Sequence, residues 1–532
     1  MEADYVIVGA GSAGCVLANR LSADGARVIL LEAGPRDLHP MIHIPAGVLK
    51  LLHNPLVNWN YASEPDAGTG NRAIHWPRGR VLGGSSSING MLFVRGNPAD
   101  FDNWAQLGCR GWSYEDCLPH FKSMERYAPG DDRFRGKEGP LLIEDYRTIL
   151  PLTHRFVEAA QQAGHPLTRD LSGVTPADGV GYTQMSRNKR FRGSTAQTFL
   201  KQARGRPNLR VVTNAQALKL LFAGKRCTGV RIDRMGRETD VTAAREVIVA
   251  TGTINSPHLL QVSGIGPAAH LKSLGIDVVH DAPGVGANLS DHYVIRVSHR
   301  VKDVLSINQL ARGARLVGEV AKFVVTGRGA LTFGVSSAQV FCRSREGLAS
   351  PDIQLLFSPA SYDLNKFGAL EREPGATLAV SIARPESRGS IMAVSADPLE
   401  RPKIRPNYLS AANDLRVILS GVALARKIFA APAFARHSVA EITPGPGIVS
   451  DAALGEHIRA NGTTIYHPVG TCRMGEDPGA VVDSRLRVRG LSGLRVIDAS
   501  IMPQVTTGNT NAPTIMIAEK GAAMIREDAK AA

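Results

Sequence analysis

Long apolar runs, paired cysteines and aromatic residues are all scarce in this chain of 532 residues, and each shortage excludes something. No apolar stretch reaches the ~18 residues that a membrane-spanning helix needs. The six cysteines, Cys15, Cys109, Cys117, Cys227, Cys342 and Cys472, are scattered and form no C-x-x-C pair. That pattern excludes a small disulfide framework and predicts free thiols. Cys472, five residues after His467, is read as a packing residue. Aromatics make up 5% of the chain, too few to interleave with the basic residues. Lysine and arginine outnumber aspartate and glutamate by 62 to 48, but they are dispersed, so nucleic-acid binding is not expected. The densest basic cluster, Arg187, Lys189, Arg190 and Arg192, reads as a solvated face; an anionic membrane surface or an acidic partner is the alternative. Internal repeats and low-complexity tracts are absent.

What is present begins at the N-terminus. Asp4-Tyr5-Val6-Ile7-Val8 is a buried-strand run, followed at once by Gly9-Ala10-Gly11-Ser12-Ala13-Gly14 and an apolar helical pattern through Val16, Leu17 and Leu21. A second run, Val28-Ile29-Leu30-Leu31, ends on Glu32, 18 positions after Gly14. This is a βαβ dinucleotide fingerprint in its proper context. Gly9 permits the turn, Gly11 lets backbone approach a pyrophosphate, and Gly14 lets helix and strand pack closely. The pyrophosphate would sit on the helix N-terminus, and Glu32 would bond ribose hydroxyls. The pattern does not separate FAD from NAD.

Three further blocks carry chemistry. Gly83-Gly84-Ser85-Ser86-Ser87 has no side chain large enough to hold backbone away from a ligand, and offers N–H groups and hydroxyls to phosphate. A P-loop is set aside, because no Gly-Lys-Ser/Thr follows. Leu494-Arg495-Val496-Ile497-Asp498 reads as a strand ending on an acid, which alone could be a cap or a turn residue. Ile465-Tyr466-His467-Pro468-Val469-Gly470 places a proton acceptor between a β-type run and a Pro-Gly turn. Read alone, one histidine among fifteen is a structural or surface residue.

Together these blocks resemble one family. Residues 79–91 resemble the first signature of the glucose–methanol–choline oxidoreductases, and residues 252–266 match their second at every defined position. Residues 467–475 and 496–513 resemble the C-terminal blocks, and the likeness runs in order from about residue 3 to 525. It implies a flavoprotein. Carried over position by position, it implies FAD contacts from Gly9, Gly11, Ser12, Ala13, Gly14, Glu32 and Ala33. Arg80, Gly83, Gly84, Ser85, Ser86, Asn89, Gly90 and Met91 follow from the first signature, with Asn89 and Gly90 beside the isoalloxazine. Ala217 would hold the adenine, Asp498 and Ala499 would lie near the ribityl chain and pyrophosphate, and Asn509 would neighbour the flavin. Some relatives attach FAD through a histidine at the position held here by Ile88, so non-covalent FAD is expected. No metal site is expected.

Alcohol oxidation removes a proton from oxygen and a hydride from carbon. The hydride would go to flavin N5, and an imidazole with an ordinary pKa of ~6.5 suits the proton. The resemblance makes His467 that base and Asn511 the amide that orients the alcohol oxygen. Tyr466 and the low charge around His467 favour a neutral primary alcohol, aliphatic, aryl or polyether. A choline site would want a carboxylate and an aromatic cage, which cannot be placed. Residues 38–47 nevertheless resemble the choline-dehydrogenase-like bacterial branch, so choline dehydrogenase stays as an alternative. So do a lyase or photoenzyme using FAD without alcohol oxidation, a flavin-binding protein without turnover and, outside the family, an NAD-dependent dehydrogenase. Oxygen or a quinone or artificial acceptor could take the electrons, and the oligomeric state is open.

The expected fold is α/β: an FAD-binding Rossmann-like domain and a substrate domain with an antiparallel sheet flanked by helices. The length suggests two closely built domains. The first takes segments 1–40, 75–105, 205–300 and 460–532, and the second 41–74, 106–204 and 301–459. Segment 206–250 reads as strand–turn–strand, residues 353–357 and 377–382 as sheet strands, residues 413–428 as a covering helix, and residues 303–335 as a lid or a surface helix pair. A strand starting at residue 4 leaves no room for a signal peptide, so a cytoplasmic protein is expected, with contact to the inner membrane as an option.

Overall fold

Strand β1 (Glu2–Val8) from Val6 on, and strand β2 (Val28–Leu31), are runs of valine, isoleucine and leucine buried on both faces, as parallel strands covered by helices must be. They open the computed structural model, which describes residues 1–173, 179–363 and 368–531. The first sheet adds β3 (Leu209–Val212), β4 (Gln216–Ala223), β5 (Arg226–Arg234) and β6 (Arg237–Val249) in the order β3-β2-β1-β6-β5-β4. The pairs β3–β2, β2–β1 and β1–β6 are parallel, and β6–β5–β4 is an antiparallel meander. Leu494–Val496 pairs in parallel with the C-terminal end of β6. Segment 206–250 therefore holds four strands, because tight turns at Gly224 and Gly236, both at positive φ, fold its middle into hairpins.

Helix α1 (Ser12–Ala23) links β1 to β2 and packs on the C-terminal helix Asn511–Ala531, held by a two-point ion pair from Arg20 to Glu519 at 2.7 and 2.8 Å. The helices Pro98–Gln106 and Tyr114–Met124 and the loop between them bury Trp104, Phe121 and Trp112 in this same core. Part of segment 106–204 thus packs with the first sheet.

The second core lies on an antiparallel sheet of β7 (Tyr293–Val301), β8 (Ala338–Cys342), β9 (Ile353–Ser358), β10 (Gly375–Ile382) and β11 (Ser438–Thr443). The order is β11-β7-β10-β9-β8, with Gly179–Tyr182 beyond β8 and Thr463–Thr464 beside β7. Strand β7 lies here although it falls in segment 205–300. Helix α2 (Ala412–Ala430) covers the outer face through Val417, Ile418, Val422 and Ala425. It comes so close that a Cβ on Gly421 would stand 2.5 Å from Val380 Cγ1.

Two surface expectations change. Arg187 and Arg192 are fully buried rather than solvated, both donating to backbone carbonyls and Arg187 also facing the Glu144 carboxylate at 3.4 Å. Arg192 donates to the carbonyls of Ile42 and Asn89 and to Asn89 Oδ1 at 2.8 Å, bracing the loop that carries the first signature. Residues 303–335 contain the amphipathic helix Gly313–Thr326, whose Leu316, Val317, Val320, Val324 and Val325 face outward. All six cysteines are buried free thiols. Among the described residues no helix is long and apolar enough to cross a membrane.

Candidate active site

A cavity of about 440 Å³ runs from the turn after β1 to the inner face of the second sheet. Its first end is made by glycines, and each has a distinct reason. Gly9 has φ +99°, and a Cβ there would stand 2.6 Å from Ala250 O. A Cβ on Gly14 would stand 1.8 Å from Gly9 O, so Gly14 serves packing and does not line the cavity. Gly84, at φ +51°, lies against Gly11, where a Cβ would come 2.6 Å from Gly11 Cα. The two signature loops therefore touch through bare backbone. The first turn of α1 has neither a side-chain cap nor an acidic residue, so its N–H groups at Ser12 and Ala13 are left for an anion.

Glu32 closes the cavity beside that turn. Its two oxygens accept from Ala10 N at 3.1 Å and Gly34 N at 2.9 Å, and Ala33 lies beside it in the wall. Burial pushes the carboxyl up to about 7, opposed by those two N–H groups and by the charge of Arg80. Arg80 itself stacks over Trp59 at 5.1 Å and does not reach the cavity. Gly83 and Ser86 also stay behind the wall, because the Ser86 hydroxyl is spent on Gly83 O at 2.6 Å. Ser85, Asn89, Gly90, Met91, Ala217 and Ala499 do line it. Asp498 joins two elements, accepting from Gly252 N at 2.8 Å and Ser256 Oγ at 2.6 Å through Oδ2, and from Ser500 N at 2.8 Å through Oδ1.

The other end holds the titrating groups. Asp291 Oδ1 accepts from His467 N at 2.8 Å, while its Oδ2 takes the hydroxyls of Thr464, at 2.6 Å, and Tyr408. This buried carboxylate holds the His467 N–H directly and the Tyr466 N–H through the Thr464 hydroxyl, and Tyr466 sits at φ +70°. A tyrosine there is strained, and strain of this kind collects where a neighbouring side chain must be aimed. His467 Nδ1 lies 3.0 Å from His292 Nδ1, and His292 Nε2 lies 3.1 Å from Ala383 O.

These partners assign the protons. Burial holds His292 down at about 4, and burial, then His292 and Arg78, hold His467 well below 6.5, so both rings are neutral at pH 7. Ala383 O only accepts, so His292 carries its proton on Nε2 and presents a lone pair at Nδ1. His467 must then donate from Nδ1, and its Nε2 is a bare lone pair. That nitrogen meets Asn509 Nδ2 at 3.1 Å.

The two asparagines are exchanged relative to the sequence expectation. Asn511 starts the C-terminal helix, and its Oδ1 accepts from Ser12 Oγ at 2.8 Å, at the dinucleotide turn. Asn509, two residues earlier, is the amide beside His467, with Gln354 Nε2 3.5 Å from its Oδ1. Entry into a helix between 509 and 511 turns the two side chains to different ends of the cavity.

Sequence reasoning passed over His292, Asp291, Arg78 and Arg296. Adjacent Asp291-His292 before a β-type run was the one available signal. Arg78 lines the cavity with Nε and Nη2 buried and without a hydrogen-bond partner. The two arginines also correct the expectation of low charge around His467.

The free N–H groups of α1, the glycine contact, the Glu32 carboxylate and the unpartnered Arg78 donors together fit a long, anionic, acceptor-rich dinucleotide. Comparison with known proteins agrees. The GMC oxidoreductase family models match residues 3–294 and 385–518. The chain is 42% identical over 530 residues to an alcohol dehydrogenase [acceptor] of Pseudomonas putida, covering 98% of this chain and 95% of the relative. It is 43% identical over 526 residues to an oxygen-dependent choline dehydrogenase of Brucella ovis, with the same coverage. Among solved structures, pyridoxine 4-oxidase from Mesorbium loti superposes with a TM-score of 0.89 at 32% identity, over 98% of this chain and 99% of that one. A formate oxidase superposes with a TM-score of 0.93 at 26% identity, over 99% of each chain.

Proposed function

This chain belongs to the GMC oxidoreductase family, and we propose that it oxidises a primary alcohol to the aldehyde with FAD, the hydroxyl proton passing to His467. The observation that carries this reading is the bare Nε2 of His467, held by a proton-ordered chain at the far end of a cavity that begins on a dinucleotide turn. When bound, FAD supplies the hydride acceptor for the carbinol carbon. The chain does the rest. Gly11, Ser12 and Ala13 offer backbone to the pyrophosphate, with Glu32 and Ala217 at the adenosine end and Asp498, Asn89, Gly90 and Met91 toward the flavin. Asn511 and Ser12 tie two helix starts beneath it.

At the reacting end an alcohol hydroxyl donates to His467 Nε2 and accepts from Asn509 Nδ2, which now occupies that lone pair. Holding the oxygen between base and amide fixes the carbinol C–H direction, and that orientation is worth more than base strength here. Asn509 takes the orienting role expected of Asn511. FAD is held without a covalent bond, because position 88 is an isoleucine; acid precipitation that leaves the yellow colour in the supernatant tests this. The cavity wall carries Arg78 and Arg296 near Tyr466, and among the described residues its carboxylates are engaged and no aromatic cage surrounds them, which disfavours choline.

The outward helix Gly313–Thr326 supports contact with an anionic membrane. Val317 and Val325 are 70% and 79% exposed, and Arg312, Arg315, Lys322 and Arg328 surround that apolar face. Such contact suits a quinone acceptor.

The test is anaerobic titration of the purified yellow protein with primary alcohols. Loss of the visible flavin band supports the reading, and its return in air identifies an oxidase. No bleaching with any alcohol overturns it.

A further inference from the structure

Arg296 is a charged group without a charged partner. It lies on β7, lines the cavity, and stacks over Tyr362 at 6.0 Å. Among the described residues no carboxylate or carbonyl accepts from its guanidinium in a hydrogen bond or ion pair. A half-buried arginine usually finds an anion, because its desolvated charge costs energy unless it is paired. The carboxylates in the wall are committed elsewhere. Glu32 and Asp498 bond backbone N–H groups at the dinucleotide end, and Asp363 has a contact of its own.

The position is as telling as the vacancy of charge. Strand β7 enters its sheet with Tyr293 and Val294 paired to Thr464 and Thr463, the residues just before Tyr466 and His467. Arg296 is two residues farther on the same face, ~7 Å along the strand. It shares a row with Ala379 and Leu356, and the next row is Ser298, Thr377 and Ser358. Ala379, Leu356, Thr377 and Ser358 also line the cavity, so the cation looks into a small-residue slot on the substrate sheet. Between it and His467 stands Tyr466, whose phenol is raised by burial while Arg296 and Arg78 both pull it down.

We propose that Arg296 recognises a carboxylate on the substrate, so that the natural alcohols are hydroxy acids. The hydroxyl meets His467 and Asn509, and the carboxylate meets the guanidinium one ring or a few methylenes away. This rests on the alcohol-oxidising reading above and names its substrate class. A planar guanidinium pairs with a carboxylate through two parallel N–H donors, which a neutral isostere cannot reproduce. The hydride and proton balance is that of any alcohol oxidation, and the carboxylate takes no part in it.

The experiment uses the FAD-loaded enzyme and a matched pair, 4-(hydroxymethyl)benzoate and 4-methylbenzyl alcohol. The wild type is expected to prefer the acid in kcat/KM by roughly 10-fold or more, and Arg296→Met to reduce that ratio by roughly 10- to 100-fold, mainly through KM. Arg296→Lys should recover part of it. Competitive inhibition by 4-methylbenzoate, weakened in Arg296→Met, reads the same contact without turnover. A wild-type ratio near one, or a ratio unmoved by Arg296→Met, overturns the proposal while leaving alcohol oxidation intact. Binding of 4-methylbenzoate without turnover of either alcohol would instead overturn the oxidation reading and keep the carboxylate site.

Discussion

His292 presents its Nδ1 to the Nδ1 of His467 at 3.0 Å, with the two rings at 86°, and this contact decides which nitrogen of His467 is free. Among the described residues no carboxylate bonds either ring. The order of protons comes from one backbone carbonyl, Ala383 O, passed through His292. Replacing His292 with phenylalanine removes the acceptor of the His467 Nδ1 proton and lets either tautomer form. The expected result is a roughly 10- to 100-fold loss in kcat with cofactor content retained. The acid limb of the pH profile should move upward, since His292 helps to depress His467. Unchanged kcat and pH profile would show that the tautomer is set elsewhere.

His467→Ala should lower kcat by ~10²- to 10⁴-fold, the usual worth of a positioned base, without loss of the flavin spectrum. A protein that loses its colour instead would make His467 a binding residue.

The wild-type profile has a definite sign. The active form of His467 is neutral, and burial holds its pKa well below 6.5, so kcat/KM should be flat above neutrality. It should fall only as pH drops through a value on the acid side of 6.5. A limb centred above 7 would contradict the assignment.

Asn509 and Asn511 should separate two functions. Asn509→Leu is expected to cut kcat by roughly 10- to 100-fold while FAD stays bound, because the amide beside His467 is lost. Asn511→Leu breaks the link to Ser12 and should weaken FAD retention, read as the flavin-to-protein absorbance ratio after dialysis. Equal effects on both readouts would deny the division.

Acid should unfold this protein through its histidines. Burial lowers His75, His120, His258 and His292 to about 4, so between pH 6.5 and 4 these four bind protons in the unfolded chain and not in the native one. They outweigh Glu32, which is raised to about 7 and acts in the opposite sense. Stability is then fully present above 6.5 and is lost as pH falls toward 4. Urea midpoints at pH 7.5 and 5 measure it, and the midpoint at pH 5 should be lower.

The helix Gly313–Thr326 predicts flotation with vesicles containing phosphatidylglycerol. Val317→Asp with Val325→Asp should abolish it, and salt should weaken it. Binding to neutral vesicles alone would remove the charge argument.

Much of this protein is written in local sequence. The turn between β1 and α1 needs Gly14 because of Gly9 O within its own βαβ unit, and Gly9 by its positive φ and by Ala250 O from a distant strand, while Gly83-Gly84 announces a bare loop by composition. β1, β2 and residues 353–357 and 377–382 of the second sheet show as apolar runs, whereas the charged hairpins of 206–250 do not, and His467 stands out by its setting before Pro468. What local sequence does not contain is direction. Whether Asn509 or Asn511 meets His467 depends on where a helix starts, since one turn of backbone sends neighbouring side chains to opposite ends of a cavity. The burial of Arg187 and Arg192 depends on carbonyls from distant loops that a charge count does not see. The tautomer of His467 rests on His292, 175 residues away, and on the carbonyl of Ala383, 91 residues from His292. Spacing and pattern determined the elements and the cofactor turn. Tertiary structure alone brought Arg78 and Arg296 to one cavity and His292 behind His467, because hydrogen bonds and unpaired charges are properties of neighbours in space.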